Sequence, residues 1–131
     1  GVMNVESALA AIEAGADAIV VSNHGGRVMD HMPGTAEVLP EIANAVGGRI
    51  KVLADGGIRE GIDILKMLAL GADAVMIGRP ICIAAFGAGQ EGVSFYLKEK
   101  LNELKKAMIL TGCGSIDHID PSIIFRKKGD R

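Results

Sequence analysis

Residues 71–80, Gly71-Ala72-Asp73-Ala74-Val75-Met76-Ile77-Gly78-Arg79-Pro80, pass from a helix stop through a short apolar run into a glycine turn. The same opening stands earlier, where Gly15-Ala16-Asp17-Ala18 leads through Ile19-Val20-Val21 into Ser22-Asn23-His24-Gly25-Gly26-Arg27. In both, the glycine suits the left-handed position that ends a helix, and the alanines let helix and strand pack closely. A third run, Ile50-Lys51-Val52-Leu53-Ala54, ends in Asp55-Gly56-Gly57-Ile58-Arg59. The three runs are short, β-branched and mostly continuous rather than alternating, which is the pattern of strands buried on both faces.

Helical periodicity fills the intervals. Val5, Leu9 and Ile12 share a face before Gly15, a second helix is expected over 35–46 before Gly47-Gly48, and Ile62, Leu65 and Ala69 line a third that stops at Gly71. A longer helix comes next, with Leu97, Leu101, Leu104 and Met108 on its apolar face and Lys98, Glu99, Glu103, Lys105 and Lys106 on a solvated one. Alternating helices and strands with short connections mean an α/β fold of parallel strands joined by right-handed crossovers. A TIM barrel spends roughly 250 residues on eight such units, about 31 each. The 131 residues therefore hold three to four βα units, three strands being assignable and a fourth expected as a stub ending at Gly1. From Gly112 to Arg131 the chain reads as an irregular tail, solvated from Arg126 onward.

Composition bounds the function. Hydrophobic residues make up 49% but aromatics only 3%, so Ala, Ile, Leu, Val and Met must build the core. A formal charge of -2 makes no electrostatic case for nucleic acid or an anionic membrane. No apolar run approaches the roughly 20 residues of a membrane span, and no charged-then-apolar leader opens the chain. Cys82 and Cys113 have neither disulfide nor metal-site spacing; they read as small buried hydrophobes in a reducing cytoplasm.

The chemistry lies in the loop after each strand. Parallel barrels gather the loops at the carboxyl ends of their strands into one mouth, so the turns after the three runs converge. Gly56, Gly57 and Gly78 bring bare backbone within reach of phosphate oxygens, and Arg59 and Arg79 add charge-assisted hydrogen bonds. Asp55 stands where a carboxylate accepts hydrogen bonds from sugar or ribityl hydroxyls. The His24 imidazole is suited to take a proton from a substrate hydroxyl, while Arg27 offers the planar fork that matches a carboxylate. The competing expectation is a loop histidine capping a carbonyl, with Arg27 paired to Asp30.

Taken together, Ser22-Asn23-His24-Gly25-Gly26-Arg27, Asp55-Gly56-Gly57-Ile58-Arg59 and Gly78-Arg79-Pro80 resemble the FMN-dependent α-hydroxy-acid oxidase and dehydrogenase family, through Thr111-Gly112-Cys113. That family includes glycolate oxidase, lactate oxidase and the flavin lactate dehydrogenases. The resemblance implies the C-terminal part of a TIM barrel, FMN at its mouth, and oxidation of a small L-2-hydroxy acid to the 2-oxo acid. It implies that His24 is the base and Arg27 the ligand of the substrate carboxylate. Asp55, Gly57, Arg59, Gly78 and Arg79, with Gly56 beside them, correspond to the ribityl and phosphate contacts, and Ser22 to a position near the flavin. The family commonly continues its loop Arg-Gln-Leu-Asp, whereas here it runs Arg27-Val28-Met29-Asp30. The family's flavin-contacting lysine, substrate tyrosine and histidine-orienting carboxylate belong to the N-terminal barrel half, which is the expected partner of this chain; a homo-oligomer is also expected. An inosinate-dehydrogenase type of barrel would need a nucleophilic cysteine in a strand-end loop, and none stands there. The alternative from another class is a non-catalytic half-barrel that binds FMN or phosphate and self-associates.

Overall fold

The computed structural model describes residues 1–125; the expected solvated tail from Arg126 lies outside the described residues. The order is α1 (Val5–Glu13), β1 (Ala18–Val21), a 3-10 turn (His24–Gly26), α2 (Thr35–Val46), β2 (Lys51–Ala54), α3 (Gly61–Ala69), β3 (Ala74–Val75) and α4 (Arg79–Leu110). Two more 3-10 turns, Ile116–His118 and Pro121–Ile123, come after Gly112.

The strands are parallel and stand in chain order, β1-β2-β3, with no switch point. The register runs from Ala18↔Lys51 to Val21↔Ala54 and continues at Leu53↔Ala74 and Ala54↔Val75. The expected fourth strand is present as a single parallel bridge, Val2↔Val21, closed by the Val2 N–H on the Val20 carbonyl at 2.9 Å. A singly wound run of βα units is one arc of a TIM barrel.

The strands are not buried on both faces. Ile19, Val21, Val52 and Ala54 are buried, while Val20 and Leu53 on the opposite face are half-buried and Met76 is 44% exposed. The cause is the one-sided helical cover. The core joins Ala8 of α1, Leu39, Ile42 and Val46 of α2, Ile64 and Leu65 of α3, and Leu104 and Ala107 of α4 to one face of the sheet. In a closed barrel the other strands fill the second face. Without an outer neighbour, β3 pairs over two residues rather than the four of its apolar run, although the Met76 N–H still reaches the Ala54 carbonyl at 2.9 Å.

Local chemistry sets the helix ends. Asn4 Oδ1 accepts the Ser7 N–H at 2.8 Å, and Gly47 closes α2 at φ 58°. The two Gly-Ala-Asp-Ala repeats are used differently. The Asp17 carbonyl accepts the Lys51 N–H at 3.1 Å, whereas the Asp73 carboxylate takes Lys51 Nζ at 2.6 Å and the Val52 N–H at 2.8 Å. Lys51 first, and then Val52, hold the Asp73 carboxyl below its usual range.

The last helix departs furthest from expectation. α4 breaks at Ala88 and Gly89 (φ 55°, ψ -137°), and its second half turns Leu104 and Ala107 inward, leaving Leu97 45% and Leu101 62% exposed. Cys82, expected inside, is exposed on the first half, which also exposes Ile83 and Phe86; Cys113 is partly covered. Glu103 is not on a solvated face: it accepts the Gly61 N–H at 2.8 Å and Lys100 Nζ at 2.5 Å. Gly61 makes this possible, because a Cβ there would collide with the backbone of Glu103 and Leu104.

This packing has two measurable consequences. Lys100, and then the Gly61 N–H, lower the Glu103 carboxyl from its ordinary 4.5. Its contribution to stability is therefore complete above that value and lost as pH falls through the carboxylate range. Glu103→Gln should cost about 1 kcal/mol at neutral pH, as befits a partly exposed charge-assisted hydrogen bond, and flatten the acid limb of stability measured by urea titration. Open strand edges and a bare sheet face recruit another chain. The isolated 131-residue chain should accordingly self-associate in a sedimentation dilution series; a compact, cooperatively unfolding monomer at micromolar concentration would refute this.

Candidate functional site

Because β1, β2 and β3 run parallel and in register, the loops 22–27, 55–59 and 78–79 leave the same edge of the sheet. The first is wound left-handed: His24, Gly25 and Gly26 have φ of 57°, 67° and 71°. Two glycines tolerate this at no steric cost, but a histidine does not, and non-glycine residues held there cluster at functional sites. The loop's own side chains hold the turn: Ser22 Oγ accepts the His24 N–H at 3.1 Å, and Asn23 Oδ1 the Gly26 N–H at 3.2 Å. Asn23 Nδ2 also donates to the Pro33 carbonyl at 3.1 Å, tying the start of the loop to its end.

The outcome is a cationic mouth. Arg27 Nη2 lies 2.6 Å from His24 Nε2. A guanidinium only donates, so the nitrogen facing it is the one with the free lone pair. The alternative reading of this loop is not realised: among the described residues the ion pairs are Lys51–Asp73 and Lys100–Glu103, and Arg27 does not pair with Asp30. Arg79 reaches the same loop, where a Cβ on Gly25 would stand 3.1 Å from its Nη2. His24, Arg27, Arg79 and the departures from the family pattern, Val28 and Met29, are all exposed.

The second loop leaves an acceptor unpartnered and backbone uncovered. Asp55 continues the ladder through its N–H on the Val21 carbonyl at 3.1 Å, and its Oδ1 is buried without a hydrogen-bond partner among the described residues. A buried acceptor left orphaned costs about 1–3 kcal/mol, so this oxygen calls for a donor. Gly57 (φ 72°) and Gly78 have open space where a Cβ would stand, leaving their backbone approachable. Gly78 precedes α4, and its carbonyl accepts the N–H groups of Ile81 and Cys82 at 3.0 and 3.2 Å. Asp63 Oδ2 accepts the Arg59 and Glu60 N–H groups, both at 3.1 Å, and Tyr96 Oη donates to the Arg59 carbonyl at 3.4 Å. The Arg59 backbone is thus fixed, and its side chain has no protein partner among the described residues.

A cavity of about 440 Å³ lies behind Gly56 and Gly57, between α3 and Ile123–Phe125, but none of Ser22, His24, Arg27, Gly78 or Arg79 lines it. The groups present (an orphaned carboxylate acceptor, two unobstructed glycine backbones and two arginine donors) fit a ligand with hydroxyls next to a phosphate.

The model of the FMN-dependent dehydrogenase family matches residues 1–126. The chain belongs to the FMN-dependent dehydrogenase family. A peroxisomal (S)-2-hydroxyacid oxidase of Arabidopsis thaliana is 50% identical over 119 residues, which are 91% of this chain and 33% of the relative. An L-lactate dehydrogenase of a Caulobacter species is 51% identical over 126 residues, 96% of this chain and 33% of the relative. The crystal structure of mandelate oxidase with benzoyl-formic acid superposes at a TM-score of 0.89 with 49% identity, over 92% of this chain and 36% of that one. The chain spans about a third of the length of these relatives. The α/β barrel arc and the FMN cofactor of the family are thereby established.

Reading the sequence missed several residues that build the site. Asn23, Tyr96, Glu103 and Thr35 hold the loops through hydrogen bonds; Asn23 stands in the His24 motif with no role assigned to it, and Glu103 is expected on a solvated face. Inorganic phosphate, or the phosphate of FMN, should perturb the backbone amides of Gly57 and Gly78 in an NMR titration. Arg79→Ala should weaken that binding about tenfold, the worth of one charge-assisted hydrogen bond. Perturbation confined to other regions would overturn the assignment.

Proposed function

We propose that the protein to which this chain belongs oxidises a small L-2-hydroxy acid, of the lactate or glycolate type, to the 2-oxo acid. FMN, when bound, supplies the two-electron acceptor such an oxidation requires. The observation that carries the reading is the 2.6 Å approach of Arg27 Nη2 to His24 Nε2 at an open mouth, with no carboxylate of the chain paired to Arg27 among the described residues.

The residues divide the work. Arg27 takes the substrate carboxylate in a two-point grip, which sets the carbon bearing the hydroxyl beside the imidazole. Drawing Arg27 onto that carboxylate uncovers His24 Nε2, whose lone pair then accepts a proton from the substrate. Asp55 accepts from ribityl hydroxyls with its orphaned oxygen, and Gly56, Gly57, Gly78, Arg59 and Arg79 receive the phosphate. Ser22 holds the His24 backbone by accepting its N–H on Oγ. Loss of two electrons and two protons from the hydroxy acid balances as the 2-oxo acid. The names of the relatives support this substrate class, since they are 2-hydroxyacid oxidases, L-lactate dehydrogenases and an L-lactate oxidase.

The half-barrel alternative is favoured by one observation, the half-buried second face of the sheet at Val20 and Leu53. The same face is what a remaining barrel part would cover, and we propose that this part supplies the flavin-ring contacts.

In the full-length protein, His24→Ala should lower kcat by about 10³-fold or more while the FMN absorbance is kept. Arg27→Ala should raise KM for the hydroxy acid about 10–100-fold, with a smaller loss in kcat because orientation suffers too. Loss of FMN from the His24 variant together with residual turnover would instead make the histidine a cofactor ligand.

A further inference from the structure

Thr35 is the buried polar side chain of the described residues, at 4% exposure. A threonine at a helix start normally caps its own helix. Here the cap is already made, because Gly34 holds that position and its N–H is taken by Glu37 Oε1 at 3.0 Å. The Thr35 hydroxyl is turned to another element: it donates to the Asp55 carbonyl at 2.5 Å. Among the described residues no backbone N–H reaches that carbonyl, so the hydroxyl is its partner. Thr35 also presses on the next residue. A Cβ at Gly56, which has φ 104°, would lie 2.7 Å from Thr35 Oγ1 and 3.4 Å from Cγ2. Two consecutive residues of the Asp55 loop are therefore seated on one side chain.

The same side chain is coupled to the histidine loop. Pro33, two residues before it, accepts the Asn23 amide at 3.1 Å, and Asn23 in turn accepts the Gly26 N–H at 3.2 Å, so the pair brackets His24 and Gly25. The φ of Pro33 is restricted by its ring, which shortens the slack between Asn23 and Thr35. We propose that Thr35 is a positioning residue that fastens the His24–Arg27 loop to the Asp55–Gly57 loop through Asn23 and Pro33, so that the two loops are held as one body. The clamp rests on geometry alone; its consequence for FMN rests on the reading proposed above.

Hydrogen exchange by mass spectrometry on the full-length protein without FMN reads the clamp directly. In Thr35→Val, which keeps shape and removes the donor, the amides of 55–58 should exchange about tenfold faster, the worth of one hydrogen bond, while 38–46 and 62–69 stay unchanged. Thr35→Ser, which keeps the hydroxyl, should restore exchange to about the wild-type rate. Asn23→Ala, on the exposed side of the bracket, should speed exchange in 55–58 as well as in 22–27 and serves if Thr35→Val does not fold. An unchanged 55–58 in Thr35→Val, uniform acceleration across α2 and α3, or an Asn23→Ala effect confined to 22–27 would overturn the proposal. FMN titration by fluorescence quenching then separates the two readings. With the clamp in force, affinity falls about tenfold in Thr35→Val and returns in Thr35→Ser. If exchange responds as expected and the wild type does not bind FMN, the clamp stands and the cofactor reading falls.

Discussion

The four-residue parallel ladder between β1 and β2 is the constraint on which the site depends. Parallel strands in direct register, Ala18↔Lys51 to Val21↔Ala54, must end together, so the turns that leave them start from one line. A slip of one residue in either strand would turn its buried residues, Val21 in β1 or Ala54 in β2, from the helices to the open face and point Asp55 and Ser22 away from each other. The register is defended at both ends. The Lys51 N–H on the Asp17 carbonyl and the Lys51–Asp73 pair hold the entry, and the Asp55 N–H on the Val21 carbonyl holds the exit. The buried apolar residues of the ladder supply the energy, and these polar contacts supply the alignment.

The one-sided cover has a structural consequence. Every helix contributes to the same face of the sheet, so the core is thin and leans on small contacts: Ala8 is the buried residue of α1, and Ala107 stands beside Leu104 in α4. Small residues let helices approach closely, and they also bury little area each, so the arc depends on polar staples where a thicker domain would use bulk. Glu103 on Gly61 is one such staple. It joins the last helix to the entry of α3, immediately after the arginine loop, and so carries the position of Arg59 as well as stability.

Much of this was legible in residue patterns, because backbone requirements are local. Gly15, Gly47 and Gly71 have positive φ where helices stop, and each of the three strands lies within one of the three apolar runs. What could not be read was which neighbour each element meets. Continuous apolar runs signal burial on both faces in a closed barrel, but the arc covers one, leaving Val20 and Leu53 half-buried. The stripe of Leu97 and Leu101 was correctly helical and wrongly placed, since the break at Ala88 and Gly89 sets the direction of the second half of α4. At the site, the residue types converge as strand-end loops must. The left-handed wind of His24 and the Arg27 contact are not legible in the sequence, because spacing of three residues does not specify a turn of that hand.

The mouth sets charge against the balance of the rest of the chain. A chain with formal charge -2 exposes Arg27, Arg59 and Arg79 on loops that leave one edge of the sheet and pairs none of them with a carboxylate among the described residues. Like charges gathered at one place repel, and a fold would ordinarily relieve this with an acidic neighbour, as Asp73 does for Lys51. The one acidic group in the second loop, Asp55, keeps its Oδ1 buried and unpartnered rather than turned to an arginine. Two kinds of unmet demand therefore stand together, cations without anions and an acceptor without a donor. A ligand that carries hydroxyls next to a phosphate, beside a second ligand that carries a carboxylate, meets both demands at once. Binding energy then comes from interactions the protein has already organised, with little further cost in ordering its own side chains. The strained turn at His24 fits the same logic: its conformational cost is met in folding, so the imidazole waits in place beside Arg27.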